Sequence, residues 1–167
     1  MTMEKVAIVT AGGSGMGAEA ARRLSADGFK IAILSSSGKG EALAGELGGL
    51  GITGSNQSVE DLKRLIDGTM RRWGRIDVLV NSAGHGPRAP ILEITDEQWH
   101  LGLDTYLMNV IRSTRLVAPT MVKQKSGRHH QHLDRVDLRA ERNVPHVGCV
   151  PRRSRILRQD LRDAVRR

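Results

Sequence analysis

Three glycines set two residues apart, Gly13, Gly15 and Gly17, close the segment Thr10-Ala11-Gly12-Gly13-Ser14-Gly15-Met16-Gly17, directly after the apolar run Val6-Ala7-Ile8-Val9. A glycine-rich turn between a buried strand and a helix is a physical device for holding phosphate. The missing Cβ atoms let an anion approach the backbone, and the helix N-terminus offers unpaired N–H groups at the positive end of its dipole. Glycines alone would equally describe a flexible loop. Position favours nucleotide binding, because the turn follows the first strand, precedes a helix and has further strand-and-helix segments behind it. A second polar turn, Asn81-Ser82-Ala83-Gly84, follows the run Ile76-Asp77-Val78-Leu79-Val80. With no His or acid placed beside it, Ser82 reads as a structural serine rather than a nucleophile.

The elements that position these turns are legible from periodicity. Val6–Thr10 reads as a buried strand, and Ala18–Ala26 as a helix with Ala20, Ala21 and Leu24 on one face. Phe29–Leu34 reads as a second strand, Glu41–Leu47 as a short helix and Ile52 as the mark of a weak third strand. Ser58 is placed to cap a helix whose apolar positions Val59, Leu62, Ile66, Met70 and Trp73 recur at helical spacing, with Gly74 ending it. Ile76–Val80 is the fourth strand. Thr95 and Gln98 form a capping-box pattern that opens a long helix over 96–123. Trp99, Leu103, Leu107, Val110, Ile111, Val117 and Met121 are its expected apolar face, and Pro119 is expected to bend or weaken its last turns. Strands alternating with helices predict an α/β domain, a doubly wound parallel sheet incomplete on its C-terminal side. Its ligand edge is the C-terminal end of the strands, where the strand order reverses.

Length and composition bound the rest. The 167 residues suffice for one domain with a core built from Ala, Val, Ile, Leu and Met, since aromatic residues are few. One cysteine excludes an internal disulfide. No run is long and apolar enough to span a membrane and no signal peptide is evident, so a cytoplasmic protein without membrane partners is expected. The net charge of +8 is unevenly spread. Residues 1–127 carry fifteen Lys and Arg against thirteen acids, whereas residues 128–167 carry eleven Arg, no Lys and five acids. From Arg128 the pattern dissolves, with no strand-like stretch and one short helix at best around Leu157, Leu161 and Val165. The expected organisation is a binding domain over 1–127 and an Arg/His-rich tail over 128–167. Interspersed acids and the lack of aromatics argue against specific nucleic-acid binding by the tail. The spacing of His129, His130, His132, His146 and Cys149 matches no common zinc pattern, so no metal is expected.

Thr10–Gly17 resembles the Thr-Gly-x-x-x-Gly-x-Gly signature of the short-chain dehydrogenase/reductase family, and Asn81-Ser82-Ala83-Gly84 resembles its Asn-Asn-Ala-Gly. The resemblance covers residues 5–127, roughly the first half of a family domain. It implies a Rossmann-like fold and NAD(P)-dependent interconversion of an alcohol and a carbonyl on a small-molecule substrate. It also implies cofactor contacts from Thr10, Gly12, Gly13, Ser14, Gly15, Met16, Gly17, Ser35, Ser36, Asn56, Asn81, Ala83 and Gly84. Asn109 falls where the family carries the asparagine of its catalytic tetrad, and the helix that bears it commonly packs between subunits of a homo-oligomer. Departures are visible. Ala11 replaces the first glycine of the signature, Ser82 replaces the second asparagine, and Ser55 or Asn56 stands where the family has an Asp near the adenine.

Cofactor preference is read at the end of the second strand. An acid there would accept the ribose 2′-OH of NAD and repel a 2′-phosphate. Ser35-Ser36-Ser37-Gly38-Lys39 has no acid, and its hydroxyls and cation suit NADP, although a solvated polar loop reads the same way. The family's general acid/base tyrosine and the lysine four residues later are missing. The single tyrosine, Tyr106, precedes Asn109, and no lysine follows Lys125. A truncated product without turnover is therefore the rival to an active enzyme. The codons of His129-His130-Gln131-His132-Leu133-Asp134, read one base later, can spell Ile-Ile-Asn-Ile-Ser-Thr, the apolar strand the family places after Ser126-Gly127-Arg128. This predicts a shift of reading frame near Arg128. It also predicts that the fourth strand is an exposed edge prone to aggregation.

Overall fold

The structure, a computed structural model, describes residues 4–124 and 128–131. Two compact units divide the chain: residues 1–87 with 95–135, and residues 88–94 with 136–167. All the described strands and helices lie in the first. In the second, the described segment 88–94 is a turn in which the Glu93 and Ile94 N–H groups both donate to the Pro90 carbonyl, at 2.9 and 3.1 Å.

The first unit runs β1 (Val6–Thr10), α1 (Gly15–Ala26), β2 (Lys30–Ser35), α2 (Lys39–Glu46), β3 (Leu50–Thr53), α3 (Val59–Trp73), β4 (Val78–Asn81), α4 (Asp96–Leu103), a π-helical turn (Asp104–Met108), α5 (Asn109–Lys123) and β5 (Arg128–Gln131). The strands form one parallel sheet in the order β3-β2-β1-β4-β5. The chain winds outward from β1 to β3, then returns to lay β4 on the other side of β1. That reversal opens a crevice between the C-terminal ends of β1 and β4, where doubly wound sheets bind their ligands.

Alternation along the strands explains why they read as continuous apolar runs. Ala7, Val9, Ile31, Ile33 and Val80 point into one core layer with Ala18, Ala21, Leu43 and Ala44 from α1 and α2. Ile8, Ala32, Leu34 and Leu79 point into the opposite layer with Leu62, Leu65 and Ile66 from α3 and Val117 from α5. A sheet covered on both faces buries successive residues on opposite sides, at about 1.5–3 kcal/mol for each Val, Leu or Ile. Small residues on α1 let it lie close to β1. Asp77 stitches the start of β4 to β1: its Oδ2 accepts the Val6 N–H at 2.9 Å, and Arg75 grips both carboxylate oxygens. Burial pushes the Asp77 pKa up, but the bonds from Arg75 and Val6 and the nearby charges of Arg75 and Lys5 outweigh it. The carboxyl sits below its ordinary range.

Three expectations change. The chain does form a strand after Arg128, and β5 pairs with the whole of β4, from Val78↔Arg128 to Asn81↔Gln131. The fourth strand is therefore not an edge. The long helix is not continuous but interrupted by the π-helical turn at 104–108. The face of that region that packs inward is also different: Thr105, Asn109, Ser113 and Val117 are buried, whereas Trp99, Leu103 and Leu107 are exposed. Small polar residues let α5 approach β4 closely enough for Ser113 Oγ to donate to Asn81 Oδ1 at 2.6 Å. Pro119 lies within α5, which continues to Lys123. The short helix considered for the tail, and His132, His146 and Cys149 among the zinc candidates, lie outside the described residues, whereas His129 and His130 fall on β5.

Candidate nucleotide-binding site

The turn between β1 and α1 is built by close approach. Ala11 takes a left-handed backbone, φ 49°, and the Gly12 N–H then donates to Leu34 O at 3.0 Å, pinning the turn to β2. A Cβ on Gly13 would collide with the Ser35 hydroxyl, and one on Gly17 would stand 2.7 Å from the Ala11 carbonyl. Gly15, at φ 55°, has open space where its Cβ would be. Helices α3 and α4 are capped by the hydroxyls of Ser58 and Thr95, but Ser14 makes no such bond at the start of α1. Among the described residues nothing accepts from the N–H groups of Gly15, Met16 and Gly17. Gly15 and Met16 stand on the cleft wall at the positive end of a twelve-residue helix. The arrangement fits a diphosphate.

The amides border a cleft of about 370 Å³. Its walls are Ala11 and Gly13–Met16 from the turn, Ser35–Ser37 after β2, Gly54–Gln57 after β3, Ser82–His85 after β4, and Thr105 from the π-helical turn. Among the described residues no carboxylate lines it. Asp61, which accepts from the cleft-lining Ser55, is engaged: the Ser55 N–H and then Arg64 hold its carboxyl below the usual range.

Of the residues expected from sequence, Gly13, Ser14, Gly15, Met16, Ser35, Ser36, Asn56, Ala83 and Gly84 line the cleft. Thr10, Gly12, Gly17, Asn81 and Asn109 support it from behind. The Thr10 hydroxyl donates to the Ser82 carbonyl at 3.0 Å and accepts the Ser82 N–H at 3.1 Å, tying the ends of β1 and β4 together. The same carbonyl receives Asn56 Nδ2 at 3.2 Å and Asn109 Nδ2 at 3.0 Å. Three donors from three elements thus converge on one main-chain oxygen, and this fixes the Ser82–Gly84 loop over the crevice. Asn109 is 1% exposed and its Oδ1 has no partner among the described residues. Tyr106 is committed elsewhere, its hydroxyl accepting the Gly86 N–H at 2.6 Å.

Sequence reasoning missed Gln57 and Thr105 as cleft residues and the Ser82 carbonyl as a hub. The polar stretch Gly54-Ser55-Asn56-Gln57 at the end of a strand was the available signal for Gln57. A main-chain acceptor leaves no mark in residue type.

The short chain dehydrogenase family model matches residues 5–128. A hydroxy-methyl-oxo-hexahydroindene-carboxyl-CoA reductase of Mycobacterium tuberculosis is 35% identical over 162 residues, which cover 92% of this chain and 54% of that protein. A 3-oxoacyl-(acyl-carrier-protein) reductase of Synechocystis is 34% identical over 131 residues, 74% of this chain and 53% of that one. The crystal structure of an actinorhodin polyketide ketoreductase variant with NADPH superposes with a TM-score of 0.71 at 31% identity, covering 77% of this chain and 52% of that one. The chain spans about half the length of the curated relatives it matches. Motif, turn geometry and sheet order agree with that match, and the chain belongs to the short-chain dehydrogenase family of oxidoreductases.

Proposed function

We propose that this chain is the dinucleotide-binding half of an NADP-dependent oxidoreductase that interconverts an alcohol and a carbonyl. The observation that carries this reading is the uncapped N-terminus of α1, with the free amides of Gly15 and Met16 on a cleft that no acid among the described residues lines. NADP is preferred to NAD because Ser35, Ser36, Ser37 and Lys39 stand where a ribose-binding acid would favour NAD. The structural neighbour with NADPH supports the same choice.

In this reading the cofactor contacts are those of Gly13–Met16, Ser35, Ser36, Asn56, Ala83 and Gly84. Thr10, Gly12, Gly17 and Asn81 shape the backbone, and Asn109 stands at the catalytic end. When bound, the nicotinamide supplies or accepts a hydride at the carbonyl carbon. Asn109 has an amide fixed by the Ser82 carbonyl and a buried oxygen ready to hold a donor such as water. It cannot by itself protonate the substrate oxygen. No tyrosine follows Tyr106 and no lysine follows Lys125 in the 167 residues. This favours a second reading for the polypeptide as it stands, a product that binds the dinucleotide without turning substrate over.

We further propose a cytoplasmic location, a small-molecule substrate and packing between copies through the exposed Trp99, Leu103 and Leu107 region. No helix among the described residues is long and apolar enough to cross a membrane. Residues 128–167 are proposed as a tail read out of frame whose first residues, 128–131, pair with the sheet as β5, and sequencing the gene around codon 128 tests this. The function is tested by titrating the chain with NADPH and NADH and following fluorescence, then assaying carbonyl reduction. Saturable binding favouring NADPH, without turnover, is expected. No binding of either dinucleotide would refute the reading, and turnover would refute the need for the Tyr/Lys pair.

A further inference from the structure

Three cleft residues after β4, Ala83, Gly84 and His85, make no hydrogen bond to any described residue. What holds them stands at either end of the span. Before it, Ser82 is fixed by the Thr10 hydroxyl and by the donors that meet its carbonyl. After it, the Gly86 N–H donates to the Tyr106 hydroxyl at 2.6 Å. Packing reinforces that bond. A Cβ on Gly86 would stand 2.6 Å from Cε2 of the Tyr106 ring and 3.1 Å from its Cζ, so any side chain at 86 would displace the ring.

Tyr106 is itself anchored. It belongs to the π-helical turn, a rare widening of a helix that recurs at functional sites. The preceding residue, Thr105, is buried: its hydroxyl donates to the Leu101 carbonyl at 2.8 Å and accepts from Gln57 Nε2 at 2.9 Å. Arg112 reaches back across the turn to the Asp104 carboxylate. The grip on Gly86 thus comes from a fixed base, whereas the span it holds contains Gly84, with open space where its Cβ would be.

We propose that Tyr106 is a positioning residue for the dinucleotide: by gripping Gly86 it keeps Ala83, Gly84 and His85 ordered on the cleft before the ligand arrives. This rests on the dinucleotide-binding reading and adds to it a residue that touches no ligand. A ligand that meets an ordered span is spared the entropy of ordering it, and fixing one backbone residue corresponds to about tenfold in affinity. The sheet order β3-β2-β1-β4 says which half of the ligand gains. The span follows β4, on the opposite side of β1 from Ser35 and Ser36 at the end of β2. With the diphosphate at α1 and the adenosine ribose at β2, the span is left to the nicotinamide half.

The test is fluorescence titration of the full chain with NADPH and with 2′-phospho-ADP, the part of NADPH that ends at the diphosphate. It is run on the wild type, Tyr106→Phe, Gly86→Ala and the double variant. Tyr106→Phe keeps the ring against Gly86 and removes only the acceptor. It should bind NADPH about tenfold more weakly, bind 2′-phospho-ADP as the wild type does, and let the Gly86 amide exchange faster with solvent. Gly86→Ala breaks the same contact from the loop side and should give the same selective loss. The double variant should bind no more weakly than the weaker single one, because both changes remove one contact. A loss confined to one of the two ligands is a signature no purely structural role would produce. Wild-type NADPH affinity in Tyr106→Phe, an equal loss for both ligands, or losses that add in the double variant overturns the proposal while nucleotide binding stands. Failure of the wild type to bind NADPH overturns the parent reading and this one with it.

Discussion

Replacing Ala11 by glycine isolates the strain that this chain carries in its phosphate-binding turn. Ala11 has φ 49° and is the one non-glycine residue with positive φ among the described residues. It is held there from both sides: the Gly12 N–H reaches across to Leu34 O, and α1 seats Gly17 against the Ala11 carbonyl. An L-residue in the left-handed region costs about 1–2 kcal/mol, which glycine avoids. Glycine also gives the unfolded chain more freedom, worth about 0.4–1 kcal/mol in the opposite direction. The net expectation for Ala11→Gly is a gain of about 0.5–1 kcal/mol, or a Tm higher by about 1–4 °C in a chain of this length. Urea denaturation followed by the fluorescence of Trp73 and Trp99 measures it, with an unchanged m-value as the sign that only stability moved. Ala11→Val, β-branched and poorly tolerated at positive φ, should lose about 1–2 kcal/mol. A glycine variant less stable than the parent, or a valine variant equal to it, would refute the strain argument.

Gly15→Ala should separate binding from folding: its Cβ meets open space, so stability falls by only about 1 kcal/mol, while NADPH affinity, read by titration, falls at least about tenfold. Asp77→Ala leaves the Val6 N–H and Arg75 without their acceptor and should cost about 2–3 kcal/mol at pH 7 by chemical denaturation. Because the folded Asp77 pKa is lowered, its contribution is present above the unfolded value of about 3.9 and is lost as pH falls through the folded one. The gap between wild type and variant should therefore narrow only on acidification below about pH 4, as a pH series of denaturation curves would show. Ser36→Asp places an acid at the end of β2 and should weaken NADPH binding at least about tenfold while sparing NADH, in paired titrations.

The site was legible where residue type and backbone demand coincide. Gly13, Gly15 and Gly17 each answer a steric or conformational need that no other residue meets, and Val6–Thr10 must be buried because every residue in it is apolar or small. Ser58 and Gly74 ended α3 where their chemistry said they would. The inward face of α5 was not legible, because periodicity picks out large apolar residues. Here close packing against the end of β4 selects small polar ones, Asn109 and Ser113, satisfied by Ser82 and Asn81 far away in sequence. Strand β5 was hidden for a related reason. Arg128-His129-His130-Gln131 has no apolar alternation, and its place in the sheet comes from backbone pairing to β4. The convergence of Thr10, Asn56 and Asn109 on the Ser82 carbonyl depends on three crossovers meeting at one sheet edge, which no local pattern encodes.

The central claim is that the first-turn amides of α1 hold the diphosphate of a nicotinamide dinucleotide. Amide NMR of the isotope-labelled chain during NADPH titration tests it most directly. The N–H resonances of Gly15, Met16 and Gly17 are expected to move furthest, with smaller shifts at Ser36 and Ala83. Saturable NADPH binding that leaves those three amides unmoved would contradict it.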